Sequence, residues 1–426
     1  MKIRTRNRTY DEVMALPRPK HRNPLRPSFL LQSVVRVASL PDLLSTHFKY
    51  TTSGMEKIKG QPCLILMNHS CFLDLMIVSR IFYPRRYGIV CTTDGFVGQE
   101  WLIRFLGCIP TQKFVSDISL IRDMEYMLKK KKTSVLMYPE ASYSFDGTAT
   151  PLPRKMGVLL KKLGVPVVMV RTQGAFTRQP LYNCLRKRKV QVTAEVTCLA
   201  TAEQVKEMSV RELDDMLDQA FTFDGFAWQR DNGVEITDPD RAEGLERILY
   251  KCPHCGTEGK MSGKGTTVTC GHCGKVWEMD VLGQLKATEG ETEYSHIPDW
   301  YAWQRREVRR ELEEGSYHPQ IDVDIGMMVD YKAIYMVGSG KLSHSDEGFH
   351  LQGCEGKLDY TQSPLACYSL YSDYYWYSIG DVVCIGNADA LYYCFPKDGT
   401  PVAKLRMAAE ELYKMKKNRK IKTEEH

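Results

Sequence analysis

The chain has 426 residues, of which 43% are hydrophobic and 26% charged, so it is long enough for two or three domains with ordinary globular cores. Its net charge is +6, with basic residues concentrated at both ends. No stretch reaches the roughly 18 apolar residues that a membrane-spanning helix requires, and no secretory signal peptide is apparent. The 14 cysteines therefore indicate a reducing compartment, and we expect a cytoplasmic protein.

The N-terminal segment, residues 1–47, is predicted to hold one amphipathic helix. Apolar residues between Phe29 and Leu44 recur at i, i+3 and i+4 spacing and are flanked by cations. Such a helix lies in a membrane interface or packs on the protein's own core, and the pattern is the same for both. Basic termini attract the phosphates of anionic membranes or of nucleic acids. We favour peripheral association with an anionic membrane and regard nucleic acid as an unlikely partner.

A domain is predicted over residues 48–248. Within it, residues from about 50 to 200 alternate short apolar runs with helical patterns, which predicts an α/β fold with several crossover connections. The predicted strands are 64–67, 87–91, 134–138, 165–171 and 191–199. The predicted helices between them are 73–82, 99–106, 119–131 and 155–163.

His69 and Asp74 follow the first of these strands. An imidazole held by a carboxylate is a general base poised near neutral pH. Residues five apart on a regular helix point about 140° away from each other, so the pair meets only if His69 sits in a turn before the helix that carries Asp74. Alone, such a pair arises by chance about once in a chain of this size, and a surface histidine capping a helix is then the favoured explanation.

Three further blocks follow, at 107–113 (GCIPTQK), 138–144 (YPEASYS) and 164–170 (GVPVVMV). In this order and at these spacings, the four blocks resemble those of the glycerolipid O-acyltransferases, the lysophosphatidate (1-acylglycerol-3-phosphate) acyltransferase family. The resemblance covers about residues 50–200. It implies a mixed central sheet flanked by helices.

The resemblance implies that His69 is the general base and that Asp74 orients it. His69 would deprotonate a hydroxyl of a lysophospholipid, most simply 1-acylglycerol-3-phosphate, which then attacks the thioester of acyl-CoA or an acyl carrier protein. Neither a catalytic metal nor a covalent intermediate is required. Backbone donors at the start of the following helix would stabilise the oxyanion. The acceptor-binding residues implied by the blocks are Lys113, Glu140, Ser142 and Tyr143.

The chain departs from the family pattern at several positions. Tyr143 stands where the third block has arginine, and a tyrosine cannot offer a cationic fork to a phosphate. Either Lys113, Arg154 or Lys155 supplies that charge, or the acceptor is another lipid or a polar molecule. The departures at Ala141 (for glycine), Pro110 (for phenylalanine) and Gln112 (for aspartate) also make the acceptor less certain than the reaction type.

Cys71 lies two residues from His69 and invites a cysteine-nucleophile mechanism. We favour a small buried thiol instead, because the block does not need a second nucleophile.

Residues 249–282 are predicted to form a zinc ribbon. Two C-x2-C pairs, each followed by glycine, bring four thiolates around one ion, with iron as the less favoured metal. Four ligands close the site, so its role is structural or it docks a partner; His254 and His272 are not expected to bind the ion. The predicted ligands are Cys252, Cys255, Cys270 and Cys273.

Residues 283–318 are predicted to be a linker with a helix at about 298–314, and residues 319–426 a small β-rich domain, a barrel or sandwich, that ends in a helix at about 401–416. This element order vaguely resembles a pleckstrin-homology-like domain, which would bind a lipid headgroup or a protein that the sequence does not identify. An alternative of another class is a zinc-ribbon adaptor whose acyltransferase-like domain is a non-catalytic scaffold.

Overall fold

The computed structural model describes residues 2–113, 118–153 and 155–424. Three sheets follow one another along the chain, with seven, four and eight strands. Within the described ranges, no helix has both the length and the apolar character needed to cross a membrane.

The N-terminal segment consists of four short elements: β1 Thr5–Asn7, α1 Tyr10–Met14, α2 Phe29–Ala38 and α3 Leu40–Ser45. Ser28 caps α2, since its side chain accepts a hydrogen bond from the Leu31 N–H. The amphipathic helix predicted here is present, but its apolar face is only partly covered. Leu30, Val34 and Val37 remain 72%, 56% and 64% exposed.

The seven-stranded sheet contains β2 Lys49–Ser53, β3 Leu64–Met67, β4 Tyr87–Thr92, β5 Cys108–Thr111, β6 Ser134–Met137, β7 Val167–Gln173 and β8 Thr193–Ala200. The strand order is β2-β8-β7-β3-β6-β4-β5, and every neighbouring pair is parallel except β7 with β8. The carboxyl ends of β3 to β7 therefore lie along one edge of the sheet. The predicted mixed sheet is confirmed, and this edge collects the loops that follow each strand.

The helices of this unit are α4 Leu73–Phe82, α5 Glu100–Phe105, α6 Ile118–Glu125, α7 Met156–Leu163, α8 Ala175–Arg178, α9 Ala202–Glu207, α10 Val210–Ala220 and α11 Gly225–Asp231. The bounds predicted for β3 and α4 match the structure. The helix predicted over 119–131 is instead divided into α6 and a π-helical turn, Tyr126–Lys130.

The four-stranded antiparallel sheet has the order β12-β11-β10-β9, formed by β9 Met261–Lys264, β10 Thr267–Cys270, β11 Val276–Met279 and β12 Leu285–Ala287. The long helix α12, Ile297–Glu314, follows it. Trp300 of α12 packs edge-on against Trp277 of β11, with ring centroids 5.0 Å apart. This contact fixes the ribbon-like sheet to the helix.

The C-terminal sheet contains β13 Gln320–Met328, β14 Ile334–Ser345, β15 Gly348–Gly353, β16 Leu358–Gln362, β17 Tyr371–Trp376, β18 Gly380–Gly386 and β19 Leu391–Pro396. Its order is β16-β15-β14-β13-β19-β18-β17, and β1 adds to β14 in parallel. The last helix, α13 Val402–Glu424, extends beyond the predicted span. The predicted β-rich region with a C-terminal helix is thus present.

One hydrophobic core runs through all three units. It joins Phe145 and Phe176 of the first unit to Trp277 of the four-stranded sheet and Tyr374 of the C-terminal sheet. Phe145 also contacts the Tyr374 ring, at 4.7 Å between centroids, and the Arg406 guanidinium of α13 lies 4.5 Å from the centroid of the Phe145 ring. The C-terminal part of the chain therefore packs directly beside the loop that contains the third block.

Replacing Trp300 with alanine tests this packing. Trp300 is fully buried and its indole N–H donates to the Lys251 carbonyl at 2.9 Å. We expect Trp300→Ala to lower the free energy of unfolding by about 3–5 kcal/mol. The matched control, Trp101→Ala, removes a side chain that is 68% exposed and should change stability by no more than about 0.5 kcal/mol. Denaturant unfolding followed by circular dichroism measures both, and equal effects would contradict the shared core.

Candidate active site

The first block forms a turn between β3 and α4. β3 is fully buried, and the Asn68 side chain after it bonds to β7, accepting from the Thr172 N–H at 2.8 Å and donating to its carbonyl at 3.3 Å. These two bonds fix where the strand ends. His69 follows in the turn, and Asp74 lies in the first turn of α4. The structure thus has the strand-turn-helix arrangement that the spacing requires.

His69 and Asp74 meet in this turn. His69 Nδ1 lies 3.1 Å from Asp74 Oδ2, and the aspartate is fully buried. The same oxygen accepts the backbone N–H groups of Ser70 at 2.8 Å and Cys71 at 3.1 Å. Because this carboxylate oxygen accepts hydrogen bonds from its neighbours, the facing Nδ1 of His69 carries the proton, and Nε2 is left as the basic nitrogen.

The imidazole of His69 lies between two tyrosine rings. Tyr138 stacks on it at 4.0 Å between centroids, and Tyr143 lies at 4.4 Å. Burial lowers the pKa of His69, while the hydrogen bond and charge of Asp74 oppose that shift. The ring is therefore neutral at physiological pH. The side chain of His69 is 21% exposed to solvent. A neutral, partly accessible imidazole can accept a proton.

Glu140 connects the third block to the catalytic turn. One carboxylate oxygen accepts the His69 N–H at 2.9 Å, and the other accepts the Thr150 N–H at 2.8 Å and its hydroxyl at 3.1 Å. The Ser144 N–H donates to the His69 carbonyl at 3.1 Å, so the third block holds both backbone polar groups of His69. Glu140 is fully buried, and burial raises its pKa to about 7.

Of the other predicted acceptor-binding residues, some lie beside His69 and others do not. Tyr143 touches the His69 ring, and the buried Ser142 hydroxyl has no hydrogen-bond partner in the described part of the chain. Lys155 is exposed at the start of α7, where its φ of 70° is left-handed, and no described contact joins it to His69. Arg154 lies outside the described residues. Ala141, at the family's glycine position, has a φ of 56°, in the region that favours glycine.

Lys113 faces the C-terminal sheet. Its ammonium lies 4.0 Å from the centroid of the Tyr371 ring in β17. The Tyr371 hydroxyl donates to Asp94 at 2.9 Å, and the Trp376 indole N–H lies 3.3 Å from the same carboxylate oxygen. β17 therefore borders the loops that follow β4 and β5.

Sequence analysis did not predict the contacts of Tyr371 and Trp376 with Asp94, because they join residues 277 and 282 positions apart. Both aromatic side chains are buried, at 4% and 3% exposure, and they are buried against the first unit's loops. The Asn68–Thr172 and Glu140–His69 contacts involve residues within or beside the four blocks. The blocks marked these residues as candidates but did not indicate which residues contact each other.

Cys71 is fully buried, and its thiol lies 3.5 Å from the Ala175 carbonyl. Burial raises the pKa of this thiol well above its ordinary value. A thiol so protonated is a poor nucleophile, which agrees with the buried-thiol interpretation.

The four cysteines of the ribbon come together as one cluster. Their sulfur atoms all lie within 4.8 Å of one another, a separation compatible with a single metal ion. His254 and His272 are not part of it; His254 Nδ1 instead lies 3.2 Å from a Glu293 carboxylate oxygen. The cluster members are Cys252, Cys255, Cys270 and Cys273.

A histidine held by a carboxylate at the edge of a parallel sheet has the arrangement of a general-base site. The family model and the curated relatives that match this region are those of acyltransferases. Residues 49–173 match the family model described as Acyltransferase. The matched range contains all four blocks.

Two curated relatives align with the same region. The chain is 30% identical over 134 residues to 1-acyl-sn-glycerol-3-phosphate acyltransferase BAT2, chloroplastic, of Brassica napus, covering 30% of this chain and 38% of the relative. It is 26% identical over 115 residues to 1-acyl-sn-glycerol-3-phosphate acyltransferase beta of Homo sapiens, covering 26% of this chain and 41% of the relative. The chain spans about two fifths of the length of these relatives.

A solved structure, that of the 1-acyl-sn-glycerophosphate (LPA) acyltransferase PlsC from Thermotoga maritima, aligns with a TM-score of 0.34. The alignment has 16% identity and covers 45% of this chain and 78% of that chain.

Proposed function

We propose that the protein transfers a fatty acyl group from a thioester, acyl-CoA or acyl carrier protein, to a hydroxyl of a lysophospholipid, most simply 1-acylglycerol-3-phosphate. The observation that carries this proposal is the neutral His69 ring held at Nδ1 by the buried Asp74. The relatives' names support the acceptor, and the acyltransferase family supports the thioester donor.

In the proposed reaction, His69 Nε2 takes the proton as the acceptor oxygen attacks the thioester carbonyl carbon. The C–O bond forms and the carbonyl oxygen becomes an oxyanion. The intermediate then expels the thiolate, which receives the proton from His69, so that the products are an ester and a thiol. Asp74 keeps Nδ1 protonated throughout and stabilises the imidazolium that forms between the two steps.

The oxyanion needs hydrogen-bond donors other than the backbone N–H groups of the turn. The N–H groups of Ser70 and Cys71, at the start of the helix, already donate to Asp74. The buried Ser142 hydroxyl, which has no partner among the described residues, is the donor we assign to this role. Glu140 acts by holding the His69 backbone, because both of its oxygens are already occupied by donors of the turn and the loop.

Lys113 is our candidate for the acceptor's phosphate. Its ammonium acts on His69 electrostatically and is held over the Tyr371 ring. One observation favours a second candidate, an acceptor that is less anionic than lysophosphatidate. Burial raises the pKa of Asp373 in β17 to about 6, and the charge of Lys113 opposes this rise, so an acidic group shares the lysine's surroundings.

For the remaining parts, we propose that the four-cysteine cluster binds one structural zinc and that the protein associates peripherally with anionic membranes from the cytoplasmic side. The strand order and C-terminal helix support a pleckstrin-homology-like assignment for residues 319–426. The adaptor alternative, a ribbon with a non-catalytic scaffold, predicts that acyl transfer is absent.

Acyl transfer from radiolabelled acyl-CoA and acyl carrier protein into a lysolipid panel tests the enzyme proposal. We expect His69→Ala to lower kcat by about 10²–10⁴-fold, because the proton acceptor is lost. The matched control is His350→Ala, which removes another His–Asp pair, 2.8 Å from Asp359 in the C-terminal sheet. It should leave activity within about twofold. Wild-type transfer no faster than that of His69→Ala would favour the adaptor.

Metal analysis tests the zinc proposal. We expect about one equivalent of zinc per chain, lost together with the fold of the ribbon in Cys252→Ser/Cys255→Ser. Cys184→Ser, an exposed thiol outside the cluster, is the control and should retain the metal. Purified wild type with no stoichiometric metal, or with iron instead, would contradict the assignment.

A further inference from the structure

A cavity of about 230 Å³ lies between the N-terminal helices and the end of α4. Two arginines line it, Arg36 of α2 and Arg80 of α4, together with His47. The other lining side chains are apolar, and none of the described lining residues is acidic. His69 does not line the cavity, so it is separate from the candidate active site.

The cations of this cavity lack a counter-charge. Arg36 Nη1 is buried and has no hydrogen-bond partner within the described ranges. Burial, followed by the charge of Arg80, lowers the pKa of Arg36, yet a guanidinium keeps its proton in proteins. Asp42 of α3 does not compensate it, because its carboxylate pairs with Arg178 at 3.3 Å and Lys187 at 2.7 Å.

Two guanidiniums that share a cavity without an acceptor favour an anion between them. A phosphate offers several oxygens and matches the planar donor fork of arginine. Binding such a group would satisfy the buried Nη1 donor and remove the repulsion between Arg36 and Arg80.

The rim of the same cavity is apolar and open to solvent. Leu40 and Leu44 line it and are 38% and 72% exposed. The exposed face of α2 supplies Leu30, Val34 and Val37 beside them. A cationic pocket beside an exposed apolar surface matches a molecule with an anionic head and an acyl tail.

We propose that Arg36 and Arg80 bind the phosphate headgroup of an anionic phospholipid in a bilayer, while Leu40 and Leu44 enter its acyl region. This inference rests on the membrane association proposed above but not on acyl transfer by His69. The site gives that association a defined headgroup contact in place of general attraction between basic residues and the membrane.

Vesicle sedimentation tests the headgroup contact. Full-length protein is mixed with vesicles of phosphatidylcholine alone or of phosphatidylcholine with phosphatidylglycerol. We expect tighter binding to the anionic vesicles, and Arg36→Gln/Arg80→Gln should lose about tenfold or more of that preference. Arg211→Gln/Arg310→Gln removes the same charge from side chains that are 92% and 58% exposed, and should retain it. Equal losses in both double variants would overturn the proposal.

Two further arms separate the possible outcomes. Leu40→Ser/Leu44→Ser should weaken binding to both vesicle types, because it removes the apolar contact. If wild type sediments equally with both vesicle types, the membrane association is supported and the headgroup site is wrong. If wild type sediments with neither vesicle type, both the membrane association and the headgroup site are wrong.

Inorganic phosphate separates a lipid headgroup from a free anion. It should raise the melting temperature of wild type modestly and that of Arg36→Gln/Arg80→Gln not at all. The double variant should melt no lower than wild type, since it loses two unpaired cations, which also shows that it folds. Stabilisation by phosphate without binding to anionic vesicles would indicate a soluble anion as the ligand and overturn the proposal.

Discussion

The buried carboxylate of Asp74 is the constraint on which the catalytic end of the sheet depends. Burying a carboxylate is costly unless donors reach it, and here the Ser70 and Cys71 N–H groups and His69 Nδ1 all meet one oxygen, Oδ2. The other oxygen, Oδ1, has no hydrogen-bond partner among the described residues. Satisfying Oδ2 shapes the turn and sets the histidine tautomer together. Because the Ser70 and Cys71 N–H groups donate to Asp74, they are not free to donate to an oxyanion. For this reason our proposal assigns that role to the Ser142 hydroxyl.

The parallel sheet then brings the remaining chemistry to the same place. Because β3 and β6 are parallel neighbours, the first and third blocks, which follow them, meet at one edge, where Glu140 and Ser144 of the third block hold the His69 backbone. The C-terminal sheet borders this edge through Tyr371, which contacts Lys113 and Asp94. The C-terminal domain therefore packs against the loops that follow β4 and β5 and does not form a module with its own separate core.

Local patterns in the sequence were sufficient for some elements and not for others. β3 and α4 were predicted at their observed bounds, since an uninterrupted apolar run ends in a turn before an apolar-periodic helix. β2 was missed because all of its residues are exposed at a sheet edge, and β5 because it is short and contains Pro110. The His69–Asp74 contact followed from spacing. The Glu140–Thr150 hydrogen bonds and the contact of Tyr371 with Asp94 produce no periodic pattern in the sequence around them. A single sequence therefore could not have indicated them.

The pH dependence of kcat/KM for acyl transfer tests the central claim, that a neutral His69 held in place by Glu140 and Asp74 is the base. Activity requires neutral His69 and, in this account, ionised Glu140, so the rate should fall on acidification. The fall should begin near pH 7 as Glu140 takes up a proton and continue as His69, whose pKa is lowered, protonates. In Glu140→Gln the decrease in kcat/KM near pH 7 should disappear, and only the decrease at lower pH, caused by protonation of His69, should remain. A rate that does not fall on acidification, or an acid limb that Glu140→Gln leaves unchanged, would contradict the account.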